Sequence, residues 1–254
     1  MKRIDLFKKH LEEKRAVKII AGIDNFDAEN VKNVVLAAEK AGASAVDVSA
    51  SEEIINIAKE NTSLPVFVSS IVPEDLAMAV KAGADAIEIG NFDALYKKGM
   101  RMSAIEILDI VTETLKLIGK SKVFTCVTVP GHIEIGEQIA LAKALEEMNI
   151  DLIQTEGAAT VEAQSNGARG LLETAQVSIA NTIELARNVE IPVMTASGLT
   201  PTTVALAFAA GASAVGVGSC VNKLNSLLEM TATASAVVSS ANRNAVSEEV
   251  EVHA

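Results

Sequence analysis

Apolar runs of strand length alternate along this chain with stretches of helical period. AVKIIAG (16–22), VFVSS (66–70), VFTCVTV (123–129) and VMTAS after Pro192 are each bounded by small, polar or charged residues. Between them recurs one segment: AGASAVDVSA from Ala41, AGADAIEIGN from Ala82 and AGASAVGVGS from Ala210, with a degenerate copy, MNIDLIQTEG, from Met148. The spacing makes these strands two, four, eight and six, and the other runs strands one, three, five and seven. An amphipathic helix over 4–15, with Ile4, Phe7 and Leu11 on one face, precedes the first strand, and a last helix over 224–239 follows the eighth. Eight strands alternating with helices, joined by right-handed crossovers, predict one α/β domain over 1–240. It is a (β/α)8 TIM barrel with an N-terminal capping helix. Residues 241–254 read as a polar, acidic tail.

The repeat also sets which side chains point inward. In AIEIG the bulky Ile87 and Ile89 belong against the outer helices, so Glu88 faces the lumen. Superposing the copies puts Asp47, Glu88, Gln154 and Gly216 at the same position of the even strands. They form one interior layer, and it is polar. Burying two carboxylates and an amide is costly unless they are paired. Lys18 on the first strand is their expected cation, facing Asp47 or Glu88. Such residues are candidates either for acid/base chemistry or for a structural ion-pair network.

The stretch from Ile191 to Ser219 reads as strand, glycine turn, helix, strand, glycine turn, with Thr200 a cap and Pro201 the first residue of a helix over 202–210. Thr195, Ser197 and Gly198 end the first strand; Gly216, Gly218 and Ser219 end the second. The loops after strands seven and eight are where such barrels hold phosphate. These residues are therefore candidate phosphate ligands, with tight turns the plainer alternative. Glu156 and Asn91 are expected at the barrel mouth, and Asn91 and Gln154 orient a substrate. His132 projects from the loop after strand five as the available neutral-pH acid/base group. Two long loops, 91–101 with Tyr96, Lys97, Lys98 and Arg101, and 157–170 with Arg169, are candidate clamps for an anion.

Composition narrows the ligand. The net charge of −11 argues against a nucleic-acid surface or an anionic membrane, so an anionic ligand needs a local site. The aromatic fraction of 3% predicts a core of Val, Ile, Leu and Ala. Cys126 and Cys220 lack metal or disulfide spacing, and no metal is expected. No apolar run has membrane-spanning length, and the start of the chain reads as neither signal nor transit peptide. A soluble protein of a reducing compartment is expected.

VKIIAGIDNFD, VDVSA, LPVFVSSI, AIEIGNFDALYKKG, CVTVP, LIQTEG, VMTASGL and VGVGS occur in the order found in an uncharacterised family, hypothetical chloroplast reading frame twenty-three. The chain resembles that family over about residues 7–230, departing from it near Gly131 and in the C-terminal tail. The resemblance implies a TIM barrel from a photosynthetic lineage, located in a cyanobacterial cytoplasm or, if plastid-encoded, the chloroplast stroma. It implies no activity. More distantly, GADAIEIGNFDALYKKG resembles the strand of the tryptophan synthase α subunit that ends in a catalytic glutamate. TASG and GVGS are similar to its phosphate loops. Here that glutamate lies on the fourth strand and Asp47 on the second, so the role does not transfer by position.

Two functions fit. One is isomerase- or lyase-type acid/base chemistry on a small phosphorylated metabolite, with Asp47, Glu88 or Glu156 moving protons. The other is a non-catalytic regulator binding such a metabolite or FMN. Substrate, oligomeric state and protein partners are left open.

Overall fold

The computed structural model describes residues 2–96, 98–157 and 162–251. Helix α1 (Ile4–Glu12) leads into β1 (Ala16–Ile20), α2 (Ala28–Ala41), β2 (Ala45–Ser49), α3 (Glu52–Asn61), β3 (Val66–Ser70), α4 (Pro73–Lys81) and β4 (Ala86–Ile89). Then follow α5 (Asp93–Tyr96), α6 (Ala104–Ile118), β5 (Phe124–Val129), α7 (Ile135–Glu147), β6 (Leu152–Thr155) and α8 (Gly167–Ala186). The chain continues through β7 (Val193–Thr195), α9 (Val204–Ala209), β8 (Ala214–Val217), α10 (Ser219–Asn222) and α11 (Leu227–Glu251). The strands are parallel and close in chain order, β8 pairing with β1. The expected (β/α)8 barrel is the observed fold.

Local chemistry explains the elements. Asp27 starts α2 by accepting from the amides of Glu29 and Asn30 at 3.0 and 3.1 Å, and Gly42, at φ +70°, closes it. Ser103 and Glu106 form a capping box at α6. Outward Val and Ile of the strands are buried against these helices: Val46, Val48, Ile87 and Ile89 are wholly inaccessible.

Some boundaries moved. The N-terminal helix ends at Glu12, before Lys14 takes a positive φ of 47°. Helix α9 starts at Val204 rather than near Pro201, because residues 201–203 form a turn in which the Thr203 hydroxyl accepts from the Thr200 amide at 2.9 Å. Helix α11 runs well past residue 239, so the region read as tail is helical to Glu251; residues 252–254 lie outside the described ones.

Inside the barrel, the low aromatic content is concentrated. Phe7 of α1 enters the bottom of the lumen and meets Phe67 and Phe124 edge-on, with ring centroids 4.9 and 5.8 Å away. Ala16, Ala45, Ala86, Leu152, Met194 and Ala214 complete this apolar floor. The polar layer lies directly above it.

Candidate functional site

Strand stagger decides who meets whom in the polar layer. Lys18 stands beside Ala45 of β2 and Gly216 of β8, whereas the β1 neighbour of Asp47 is Ile20. Lys18 is thus a layer below Asp47. Its ammonium, 5.2 Å from the Phe67 ring centre, crosses the lumen to hydrogen-bond Glu88 Oε2. The expectation left two partners open, and the ammonium bonds Glu88. Asp47 accepts instead from Ser69 Oγ at 2.5 Å and from Asn91 Nδ2 at 2.8 Å. Gln154 Nε2 bridges to Glu88 Oε1 at 2.7 Å, Asn91 Oδ1 at 2.9 Å and Thr128 Oγ1 at 3.0 Å. One continuous network therefore joins Lys18, Glu88, Gln154, Asn91, Ser69 and Asp47.

Electrostatics follow from that burial. Desolvation pushes the Asp47 carboxyl from its usual 3.8 up to about 7, with Lys18 opposing and Glu88 adding to the rise. Burial disfavours the Lys18 ammonium, but the carboxylates of Glu88 and Asp47 outweigh it and hold the group above its usual range. Burial also raises Cys126, which abuts Glu88.

Above the network, at the C-terminal ends of the strands, lies a cavity of about 550 Å³. Asn91, Gln154 and Glu156 line it, as do Ser197, Gly198, Gly216, Gly218 and Ser219. Lys18, Asp47 and Glu88 do not: all are wholly buried beneath Asn91 and Gln154. Thr195 is also absent from the wall. Met194 points into the lumen, so its neighbour points out, and the Thr195 hydroxyl meets Thr182 of α8 at 2.7 Å. His132 lies outside as well. Its Nδ1 is 3.1 Å from the hydroxyl of Tyr96, which donates to Glu156 Oε1. The hydroxyl's one proton is given to Glu156, so His132 serves here as donor. Burial and the nearby Arg101 lower the His132 pKa, with Glu137 opposing.

The glycine loops differ from each other. Ser197 and Gly198 have φ of +76° and +70°, and α8 holds their carbonyls through Ser178 Oγ at 2.9 Å and Thr174 Oγ1 at 3.1 Å. A Cβ on Gly198 would lie 1.9 Å from the Thr174 carbonyl oxygen, so close packing on α8 requires this glycine. Gly198→Ala should therefore cost at least about 2 kcal/mol in urea unfolding. Gly42→Ala, at the same φ but with open space around it, should cost only about 1 kcal/mol. Equal losses at the two positions would remove the packing explanation. A Cβ on Gly218 meets nothing nearer than 3.6 Å, so that wall is roomy.

The cations of the long loops are not gathered in the cavity. Lys98 pairs with Asp24 at 3.2 Å, Arg169 pairs with Glu173 at 3.2 Å, and Arg101 lies 4.4 Å over the Tyr96 ring. Lys97 and residues 158–161 lie outside the described ones. Lys223, just after α10, is the lysine on the cavity wall, and composition gave no hint of it. Asn222 was equally hidden: its amide donates to the Ile20 and Ala21 carbonyls at 3.0 Å each, clipping the mouth between β1 and β8. Ser69 and Thr128 were recoverable, since strand parity with Phe67 and Cys126 places both inside.

Solved structures share this architecture. A 3-hexulose-6-phosphate synthase from Salmonella typhimurium superposes with a TM-score of 0.64 at 11% identity, covering 90% of this chain and 99% of that one. The (S)-3-O-geranylgeranylglyceryl phosphate synthase of Thermoplasma acidophilum, solved with sn-glycerol-1-phosphate, gives 0.61 at 16% identity, over 95% and 98% of the two chains. Sequence similarity is far higher to the "Uncharacterized protein ycf23" of Cyanophora paradoxa: 40% identity over 229 residues, covering 90% of this chain and 92% of that protein. Residues 3–247 match the family described as "Protein of unknown function (DUF561)", and the chain belongs to that family.

Proposed function

We propose that this barrel binds a small phosphorylated metabolite in the cavity at its mouth and acts on it by acid/base chemistry. One observation carries the reading: a single cavity of about 550 Å³ brings together both glycine loops, Lys223 and Glu156. The phosphate would lie against Gly218, Ser219 and Lys223, with Ser197 and Thr200 opposite. Asn91 and Gln154 form the polar floor. The Salmonella and Thermoplasma proteins, named for or solved with phosphate esters, support the fold's capacity for this ligand class.

Glu156 is the proton-transfer group of this reading, an isomerase- or lyase-type role. It lines the cavity, and the Tyr96 hydroxyl, itself held by His132, orients its carboxylate. Asp47, Glu88 and Lys18 become its foundation rather than its reagents, because no part of them reaches the cavity. That sealing favours a second reading, a regulator that binds a phosphorylated metabolite or FMN without turning it over. Either protein would work in a plastid stroma or cyanobacterial cytoplasm. Among the described residues, no helix is long and apolar enough to cross a membrane.

A ligand that binds only the folded state raises stability by about 2.7 kcal/mol at a hundredfold excess over Kd. Sugar phosphates should therefore raise Tm, and Lys223→Met should weaken their binding by about tenfold. No shift at saturating phosphate would end the phosphate reading. With binding established, turnover lost in Glu156→Gln separates enzyme from regulator, and a visible absorbance spectrum of the purified protein tests for FMN.

A further inference from the structure

Gln154 is 1% exposed, and its Nε2 is surrounded by the three acceptors Glu88 Oε1, Asn91 Oδ1 and Thr128 Oγ1. Turning the amide over would set its oxygen against a carboxylate and a carbonyl, so the orientation is fixed. The other end of the same amide, Oε1, is buried and has no hydrogen-bond partner in the protein. It points toward Gly216, where a Cβ would stand 3.1 Å from Oε1 and equally close to Ala196 Cβ and Ile20 Cδ1. Gly216, Ala196, Ile20 and Gln154 all line the cavity. Beside the amides of its floor the cavity thus has small apolar surface around one bare acceptor. Buried polar atoms are almost always partnered, so an orphan aimed into a cavity marks a missing donor.

We infer that the ligand is a phosphate ester carrying a free hydroxyl, which donates to Gln154 Oε1. The inference rests on the phosphate reading above and specifies its organic half. Carbonyl, ether and ionised phosphate oxygens are acceptors, so none of them can serve Oε1. The span is set by the end of β8: Gly218 lies two residues beyond Gly216, just past the strand, at most about 7 Å away. A hydroxyl that far from the phosphorus belongs to a short polyol chain. Any side chain at Gly216 would stand against Oε1. Its own φ is not in the positive region, so the absence of a side chain there is a matter of space rather than backbone conformation.

The test compares three probes by calorimetry: glycerol 3-phosphate, propyl phosphate and inorganic phosphate. The alkyl ester matches the polyol in length and charge but has no hydroxyl. Wild-type protein should bind glycerol 3-phosphate at least about tenfold tighter than propyl phosphate. In Gly216→Ala the added methyl crowds Oε1, and the ratio should fall to about one. Gln154→Met should abolish the preference too; because it also removes a donor to Glu88, Gly216→Ala is the cleaner arm. Equal affinity for the two esters in the wild type would overturn the hydroxyl while leaving the phosphate site standing, with water the partner of Oε1. Failure of all three probes to bind would overturn the phosphate reading and this inference with it.

Discussion

Lys18→Met should lower the unfolding free energy by roughly 3–5 kcal/mol, the usual result of leaving a buried charge without its partner. Lys18 and Glu88 are both wholly inaccessible, so no solvent can replace the lost ammonium. Methionine keeps most of the chain's volume and its contact with Phe67, so charge dominates the loss. The double mutant Lys18→Met/Glu88→Gln should regain a large part, because glutamine can still accept from Gln154 without a charge. Lys18→Met/Asp47→Asn should regain little, since the Lys18 hydrogen bond runs to Glu88 and not to Asp47. Urea unfolding at neutral pH measures all three. Equal rescue by the two second-site changes would mean that the ammonium serves both carboxylates alike, and the specific pairing with Glu88 would fail.

Asp47→Asn should change the pH dependence of stability even more plainly. The folded carboxyl titrates near 7 against a usual 3.8, so the folded state holds the proton more tightly than the unfolded chain. Linkage then sets the sign: between pH 4 and 7 the native protein binds more protons, and raising the pH removes stability. At about 1.4 kcal/mol per unit, this one group costs roughly 4 kcal/mol across the interval. Asparagine does not titrate. The stability of Asp47→Asn relative to the parent should therefore climb from pH 4 to 7 and level off above it. The hydrogen bonds to Ser69 and Asn91 shift the whole difference up or down but not its slope. Unfolding curves that run parallel in parent and variant over this range would show that Asp47 is already ionised in the fold.

The fold was legible because its signal is repeated. Four copies of one strand pattern fixed the even strands, and side-chain alternation alone put Glu88 and Gln154 inside. Alternation could also have excluded Thr195, whose neighbour Met194 takes the inward position; the attraction of a hydroxyl beside a glycine loop overrode it. Height within the barrel was not legible. Lys18 and Asp47 lie on adjacent strands, yet the tilt of the strands sets Lys18 opposite Ala45, a layer below Asp47, and its ammonium bonds Glu88 across the lumen. Nor could a linear reading show that Asn91 and Gln154 close over the carboxylates, which follows from where their amide groups end rather than from the strand register. Asn222 and Lys223 follow β8 in a segment with no distinctive motif, and only closure of β8 onto β1 brings them to the mouth.

The three phenylalanine rings at the bottom have a consequence for timing. Phe7, Phe67 and Phe124 fill one end of the barrel, and the amides of Asn91 and Gln154 stand between Asp47 and the cavity at the other. A ligand resting on those two amides is a stopper in a tube already sealed below. If the proposed ligand binds there, proton exchange between Asp47 and bulk water should slow while it stays. A barrel so filled would carry forward the acidity of the moment at which it was closed.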